Sequence, residues 1–446
     1  MLQEFQQHIH KNFPFLKEKK LLIAVSGGID SIVLCDLLNK SQYSFSLAHC
    51  NFRLRGMESE KDEEFVKNLA KQNQQECFVK KFDTEVYANQ NKISIQMAAR
   101  DLRYDWFDEL MQKHHFDYLL TAHHADDNLE TVLINLIRGT GLEGLTGIPK
   151  INNKKVRPLL PFSRKEIEIY AKEQNLLWRE DKSNAETKYF RNKLRHDILP
   201  LLKEMNPNIL ESFSKTLKHL QGSKQIVDDR INKIKGEVII TSGKSLKFKA
   251  QNLKSLNNPK AYLYALLKDY GFTEWDDVYD LLSAQPGKQI FSKSHRLVKD
   301  RDYLLLNEIS KEISTSATFE ISDKQKDILF NGLKMKLEEI NKKEFKKEEY
   351  FKNDSNNFIF VDIEKLHFPL TVRKWEKGDY FYPFGMQGKK KLSKYFKDKK
   401  LSILEKENIW LLCCKNEIIW VINNRLDNRY KITNNTKKIL KIEIIK

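Results

Sequence analysis

The chain is poor in the residues that cross-link, kink or span. Its 446 residues hold five cysteines, ten prolines and 16 glycines. The cysteines, Cys35, Cys50, Cys77, Cys413 and Cys414, are odd in number and show neither C-x-x-C nor metal-ligand spacing. That argues against a disulfide framework and against a cysteine-held metal. Cys413 and Cys414 are adjacent, and a strand would send them to opposite faces. A reduced, cytoplasmic protein is the simplest reading. No apolar run approaches the roughly 20 residues that a spanning helix needs. Residues 1–10 carry no basic stretch followed by an apolar one, so neither membrane insertion nor a secretory signal is expected. Gly-Lys-Ser occurs once, at Gly243-Lys244-Ser245, but Val238 stands where a Walker A loop needs its first glycine, so the segment reads as a turn.

What the chain does have is apolar bulk and positive charge. A 40% apolar fraction with 11% aromatics excludes wholesale disorder, and the length suggests about three domains. The net charge of +17 is uneven: residues 1–208 contain 31 basic and 29 acidic residues, a balance of +2, which leaves +15 for the rest. An excess of that sign points to an anionic partner, with RNA, DNA and membrane surfaces all open.

The near-neutral half alternates strand and helix. Residues 21–25, 44–49, 77–82 and 118–122 are short apolar or β-branched runs, and helical patterns at 31–39, 58–72, 94–113 and 126–138 separate them. This order predicts a doubly wound parallel sheet, in which ligands bind beyond the carboxyl ends of the strands at the point where strand order reverses. Ser26-Gly27-Gly28-Ile29-Asp30-Ser31 follows the first strand directly and precedes a helix. Two glycines permit a tight turn and close backbone approach. The helix N-terminus offers unpaired N–H groups to an anion, and the two serines add hydroxyl donors. Asp30 suits Mg²⁺ or a pyrophosphate-bound water, or simply the N-cap of a turn.

Beyond the fourth strand lies Thr121-Ala122-His123-His124-Ala125-Asp126-Asp127-Asn128-Leu129-Glu130-Thr131. His123, Asp127 and Glu130 are spaced i, i+4, i+7, which on a helix places them on one face. An acidic first turn favoured by the helix dipole is the plainer alternative. Four glycines at 139, 141, 144 and 147 then suggest a mobile loop that closes over substrate. Arg100 and Arg103 stand at i, i+3 on a predicted helix, and Arg191-Asn192-Lys193-Leu194-Arg195 opens another that ends near Pro200. Converging arginines suit phosphate or developing negative charge, and singly each also suits a solvated face.

Together these motifs resemble a known group. Ser26–Ser31 looks like the SGGxDS pyrophosphate loop of the N-type ATP pyrophosphatases. The run TAHHADDNLETVLINLIRGTGLEGLTGIP at 121–149 and RNKLRHDILP at 191–200 are similar to the tRNA(Ile)-lysidine synthetase family, as is the segment 370–430. The resemblance implies a two-step reaction. ATP adenylates the C2 oxygen of the wobble cytidine in the CAU-anticodon isoleucine tRNA, with release of pyrophosphate. The ε-amine of free L-lysine then displaces AMP to give lysidine. It further implies that Ser26, Gly27, Gly28, Ile29, Asp30 and Ser31 hold ATP, and that Asp30 holds Mg²⁺ or pyrophosphate. Arg103, His123, Asp127 and Arg195 would form the reaction centre, with Asp127 and Glu130 receiving lysine. Where the family often has a second histidine after the second strand, the chain reads His49-Cys50-Asn51-Phe52-Arg53-Leu54-Arg55, with Phe52 in its place.

The expected organisation is a catalytic α/β domain at 1–208, a connecting helix at 209–235, a mainly helical tRNA-binding middle domain at 236–340, a charged linker at 341–357 and a small α+β tRNA-binding domain at 358–446. In the last, Lys389, Lys390, Lys391, Lys394, Lys397, Lys399 and Lys400 surround Tyr395 and Phe396. The lysines suit RNA phosphates or a solvated face, and the two aromatics suit the core. No stable protein partner is expected. The nearest rival is an ATP-dependent tRNA thiolase, which shares the loop but commonly uses paired cysteines.

Overall fold

A computed structural model of the chain describes residues 1–180, 190–242, 245–309, 318–342, 345 and 357–445. The Gly243-Lys244 pair and nearly all of the stretch 341–357 lie outside the described residues. The chain divides into two compact units, Met1–Asp229 and Arg230–Lys446.

The first unit runs α1 (Leu2–Asn12), β1 (Leu21–Ala24), α2 (Ile29–Lys40), β2 (Phe45–Asn51), α3 (Met57–Gln72), β3 (Cys77–Lys81), α4 (Thr84–Asn91), α5 (Ile95–Lys113), β4 (Tyr118–Leu120), α6 (Ala125–Ile137), α7 (Leu142–Leu145), β5 (Ile151–Asn152), β6 (Lys155–Val156), α8 (Arg164–Glu173), α9 (Phe190–Lys193) and α10 (Leu199–Met205), before entering α11 (Ile209–Val238). Its sheet has the order β3-β2-β1-β4-β6-β5. All pairings are parallel except β5 with β6. The period of two in β1 serves both faces. Leu21 and Ile23 join one core with Phe5, Val33, Ile167 and Tyr170, while Leu22 packs on the other side with Phe107 and Leu119. Because β2 and β4 flank β1, the chain leaves β1 to one side and β4 to the other. A crevice at their carboxyl ends is the topological consequence.

The glycine-rich run at 138–147 is tethered. It contains α7, the Asn135 side-chain amide donates to the Gly144 carbonyl at 2.9 Å, and the Ile148 N–H donates to Asn128 Oδ1 at 2.6 Å. Gly147 has φ +74°, and a Cβ there would stand 2.4 Å from Asn128 Oδ1. These glycines let the chain fold tightly against α6, so the expectation of a mobile closing loop gives way to a pinned one.

The second unit is richer in strands than its sequence suggests. After α11 come β7 (Ile239–Ser242), β8 (Ser245–Lys249), α12 (Ala250–Lys254), α13 (Pro259–Leu267), α14 (Trp275–Asp280), β9 (Gln289–Phe291), β10 (His295–Asp300) and β11 (Tyr303–Glu308). The five strands form an antiparallel sheet of order β7-β8-β11-β10-β9 beside the helices. The mainly helical expectation is thereby corrected. Then follow β12 (Phe319–Ile321), β13 (Asp327–Phe330), β14 (Leu333–Asn341), β15 (Phe358–Asp362), β16 (Leu370–Lys374), β17 (Tyr380–Phe381), β18 (Lys390–Lys391), α15 (Leu392–Asp398), α16 (Ile403–Asn408), β19 (Trp410–Cys414), β20 (Glu417–Val421), β21 (Arg425–Leu426) and β22 (Lys438–Ile445). Sheets β12-β16-β19-β20-β21 and β13-β14-β22-β15 enclose one core, so this region is largely β rather than α+β. β14 shows why: in Leu333–Asn341 the buried Met335 and Leu337 alternate with exposed Lys334, Lys336 and Glu338. The charges of this stretch, placed by the sequence in a mainly helical segment, are the outer face of a strand. β12 and β14, although drawn with the middle segment, pair with β16 and β22. In β19, Trp410, Leu412 and Cys414 face that core, while Leu411 and Cys413 pack on the other side against Phe381 and Phe396.

Candidate active site

The loop after β1 leaves the start of α2 without a side-chain cap. Gly27 has φ +91°, in the region closed to most side chains, and its carbonyl accepts the Arg179 N–H at 2.9 Å. Ser26 Oγ accepts the Gly28 N–H at 3.2 Å, and Ser31 Oγ donates to the Gly28 carbonyl at 2.8 Å. No side chain caps α2 at Gly28. The N–H groups of its first turn, which have no intrahelical partner, remain for an anion. From below, Arg179 braces the loop through ion pairs to Glu58 and Asp62 at 2.6 and 2.7 Å.

Asp30, on the first turn of α2, meets α6 and α8. Its two oxygens accept from Arg164 Nη1 at 2.8 and 2.7 Å. His124 Nε2 lies 3.7 Å from Asp30 and 3.4 Å from Asp127. Burial pushes the Asp30 carboxyl up, against the pull of His124 and Arg164. Asp127 also accepts the His124 backbone N–H at 3.1 Å, bracketing the start of α6. Burial alone would raise Asp127, but His124, His123, Arg191 and Arg195 outweigh it and hold the carboxylate ionised.

Behind Asp127 lies Glu130, with no exposed surface. Arg191 Nε donates to one oxygen at 2.7 Å, while Arg195 Nε and Nη2 donate at 2.7 and 3.0 Å. Arg195 Nη2 also reaches Asp127 at 3.1 Å. Arg195 rides on a π-helical turn, Leu194–Ile198. Pro200, which has no N–H to donate to the preceding turn, follows it. The result is two carboxylates on α6 gripped by two guanidiniums.

The sequence-derived residues therefore separate. Ser26–Ser31, Asp127, Glu130 and Arg195 come together. α6 begins at Ala125, so His123 lies before the helix and not on the face it was expected to share. Its Nδ1 is 2.9 Å from Thr121 Oγ1, and burial, opposed by the Asp127 carboxylate and reinforced by Arg157 and Arg191, drops its pKa to about 4. Arg103 is exposed, with its guanidinium 5.2 Å from the Phe52 ring centre. No hydrogen bond or ion pair joins it to the carboxylate cluster among the described residues. Glu130 is spent on arginines, so it cannot meet a lysine ammonium without releasing them.

His124, Arg164 and Arg179 are not singled out by the sequence, which offers Arg191 only together with Arg195 as one of its converging arginines. Arg164 had a signal: Ser163 and Glu166 form a capping box that announces α8. In the second unit, Tyr395 and Phe396 are buried in the core, as their helical spacing suggests. Lys389, Lys391, Lys394, Lys397, Lys399 and Lys400 are exposed, and Lys390 pairs with Asp398 at 2.7 Å.

A parallel sheet whose first strand ends in a Gly-Gly-x-Asp-Ser turn, with acidic and basic groups gathered at the strand mouths, defines a PP-loop ATP-dependent enzyme. Residues 1–202 match the family described as PP-loop domain, 241–309 the TilS substrate binding domain and 370–444 the TilS substrate C-terminal domain. The chain is 38% identical over 452 residues to a tRNA(Ile)-lysidine synthase of Parabacteroides distasonis, covering all of both chains. It is likewise 38% identical over 445 residues to one of Bacteroides thetaiotaomicron, covering 99% of each. Among solved structures, a U34-tRNA thiolase from Methanococcus maripaludis overlaps 49% of this chain and 80% of its own at 21% identity and a TM-score of 0.40, too low to carry an argument. The chain belongs to the tRNA(Ile)-lysidine synthase family, enzymes of ATP-dependent tRNA modification.

Proposed function

We propose that the first unit activates the wobble cytidine of a CAU-anticodon tRNA(Ile) with ATP and couples it to free L-lysine. The observation that carries this is the meeting of Asp30, Asp127, Arg191 and Arg195 beside the donor-rich loop Ser26–Ser31. The loop N–H groups and serine hydroxyls take the β- and γ-phosphates, which leave as pyrophosphate. Arg195, held in place by Glu130, lies against the negative charge that develops as the cytidine oxygen attacks the α-phosphorus. A cytosine C2 oxygen is a poor leaving group, and adenylation makes it a good one.

Mg²⁺ fits this site on the chemistry of its donors. It binds through one or two carboxylates plus substrate phosphates. Asp30, 3.7 Å from His124 Nε2, would supply the carboxylate. Among the described residues no group of three or more His, Cys, Asp or Glu side chains would hold a metal without the phosphates. Bound there, the ion would neutralise the phosphates. Asp127, at the open side of the cluster, is the carboxylate placed to receive the lysine ammonium, while Glu130 below it fixes Arg191 and Arg195. His123 offers a neutral imidazole at physiological pH. Arg103 with Phe52 borders the far side of the cleft.

The segments 236–340 and 358–446 carry the tRNA body in this reading, with the exposed lysines of 389–400 on its phosphates. Sulfur chemistry finds no support in the thiols. Burial pushes Cys50 to about 12 and Cys413 to about 11, and raises Cys35 and Cys77 as well, away from the thiolate a thiolase requires. Free cysteines fit a cytoplasmic setting, and among the described residues no helix is long and apolar enough to cross a membrane. The test is stoichiometry. AMP and pyrophosphate should appear in step with lysine incorporation, and only with tRNA bearing C at the wobble position. AMP release that ignores lysine overturns the reading.

A further inference from the structure

Arg157 is a buried cation without a carboxylate. It follows β6 at the carboxyl edge of the sheet, next to the β4 end that delivers His123, and it is only 7% exposed. Its Nη1 donates to the Pro149 carbonyl at 2.6 Å, while its Nε has no partner at all. Removing a guanidinium from water is costly unless an opposite charge or full hydrogen bonding compensates it. Here the neighbours add cations. The guanidinium of Arg100, from α5, stands 5.0 Å from the ring centre of Tyr104, and Lys155 Nζ stands 4.2 Å from the same ring. Burial lowers the Arg157 guanidinium below its ordinary value, and the Arg100 cation adds to that. Lys155 has a loose partner, Asp108 at 3.8 Å. Neither Arg100 nor Arg157 has a carboxylate partner among the described residues.

Two cations over one phenol ring, with the buried Arg157 two residues along the strand from Lys155 and so on the same face, form an arrangement that repels itself and calls for an external anion. The cluster is graded, from the buried Arg157 through half-buried Lys155 and Tyr104 to exposed Arg100. A single small carboxylate would need one guanidinium. A track of cations leading outward over an aromatic ring fits a strand that carries a phosphate per residue and a base to stack. Arg103 over Phe52 extends the same pattern from the next exposed turn of α5. This surface escapes the charge count because the first 208 residues are balanced as a whole.

We propose that Arg157, Arg100, Lys155 and Tyr104 bind the phosphodiester backbone of the substrate RNA strand beside the target base. They form a second RNA-binding surface, on the catalytic unit itself. The inference rests on the functional reading above and names the residues that would hold the RNA at the reaction centre.

The test measures tRNA affinity across a salt series, together with KM for lysine and for ATP, using the full chain. The variants are Arg100→Ala, Lys155→Ala and Arg157→Gln, with wild-type lysidine formation measured alongside. Arg100→Ala and Lys155→Ala should each weaken tRNA binding about three- to tenfold and lower the salt slope by about one, leaving the lysine and ATP KM values and the unfolding temperature unchanged. Arg157→Gln should weaken binding further. Should burial make that variant unfold, the two outer positions still decide. Wild-type tRNA affinity in both outer variants overturns the inference. So does a rise in lysine KM at constant tRNA affinity, which would make the cluster a carboxylate site. If the wild type forms no lysidine, it is the functional reading that fails.

Discussion

At Glu130 two guanidiniums compete for one wholly buried carboxylate, and both are served. Replacing it with Gln keeps the volume but leaves Arg191 and Arg195 without their anchor. Glu130→Gln should lower kcat about 100-fold or more with little change in tRNA affinity. Steady-state kinetics beside filter binding checks this, and equal loss of both would make Glu130 a folding residue. Asp127→Ala should also abolish lysidine formation, and a radiolabelled tRNA should still bind it as tightly as wild type. Two histidines govern acid behaviour. Burial lowers both His8 and His123 from 6.5 to about 4. Between those values the unfolded chain takes up protons that the folded chain refuses, so stability is full above about pH 6.5 and falls as pH drops towards 4. His8→Phe, which replaces an imidazole packed on Phe13 and Phe162 with a ring that does not titrate, should flatten part of that slope in pH-dependent thermal unfolding. An unchanged slope would remove His8 from the account.

Elements were legible where periodicity is strong and the run is long. β1 to β4 and the helices α2, α3, α5 and α6 stand in the sequence as apolar runs and 3.6-residue patterns, and so does the loop Ser26–Ser31, while the eight-residue α4 does not. What escaped was short or masked by charge. β5, β6, β17 and β18 have two residues each, too few to show a period. β14 hides an alternating core face beneath lysines and glutamates. At the site, the spacing i, i+4, i+7 selected His123, but the N-cap lies at His124, so the helix starts too late to include it. A one-residue shift in where a helix begins turns a neighbouring histidine towards Asp30 and Asp127, and no periodicity fixes a boundary that finely. The pinned run after α6 gives an element-scale prediction. Gly147→Ala would force a Cβ against Asn128 Oδ1 at a positive φ, and should cost about 1–3 kcal/mol in stability. Unfolding at the wild-type midpoint would show that Asn128 yields without cost.

Across the whole molecule, charge and chemistry are divided. The half that carries the loop and the carboxylates is balanced at +2, and the remainder carries +15. Catalysis with ATP and lysine needs local, paired charge, while holding a long polyanion needs unpaired lysines spread over sheets and helices. The Arg157 cluster is where the balanced half departs from its own average. The central claim, that both halves serve one ligation, is tested most directly by product identity. The full chain is incubated with ATP, lysine and CAU-anticodon tRNA(Ile), and the digested nucleosides are weighed by mass spectrometry. The account predicts a nucleoside with the mass of cytidine plus lysine minus water. A sulfur-bearing nucleoside, or unmodified cytidine despite AMP release, would contradict it.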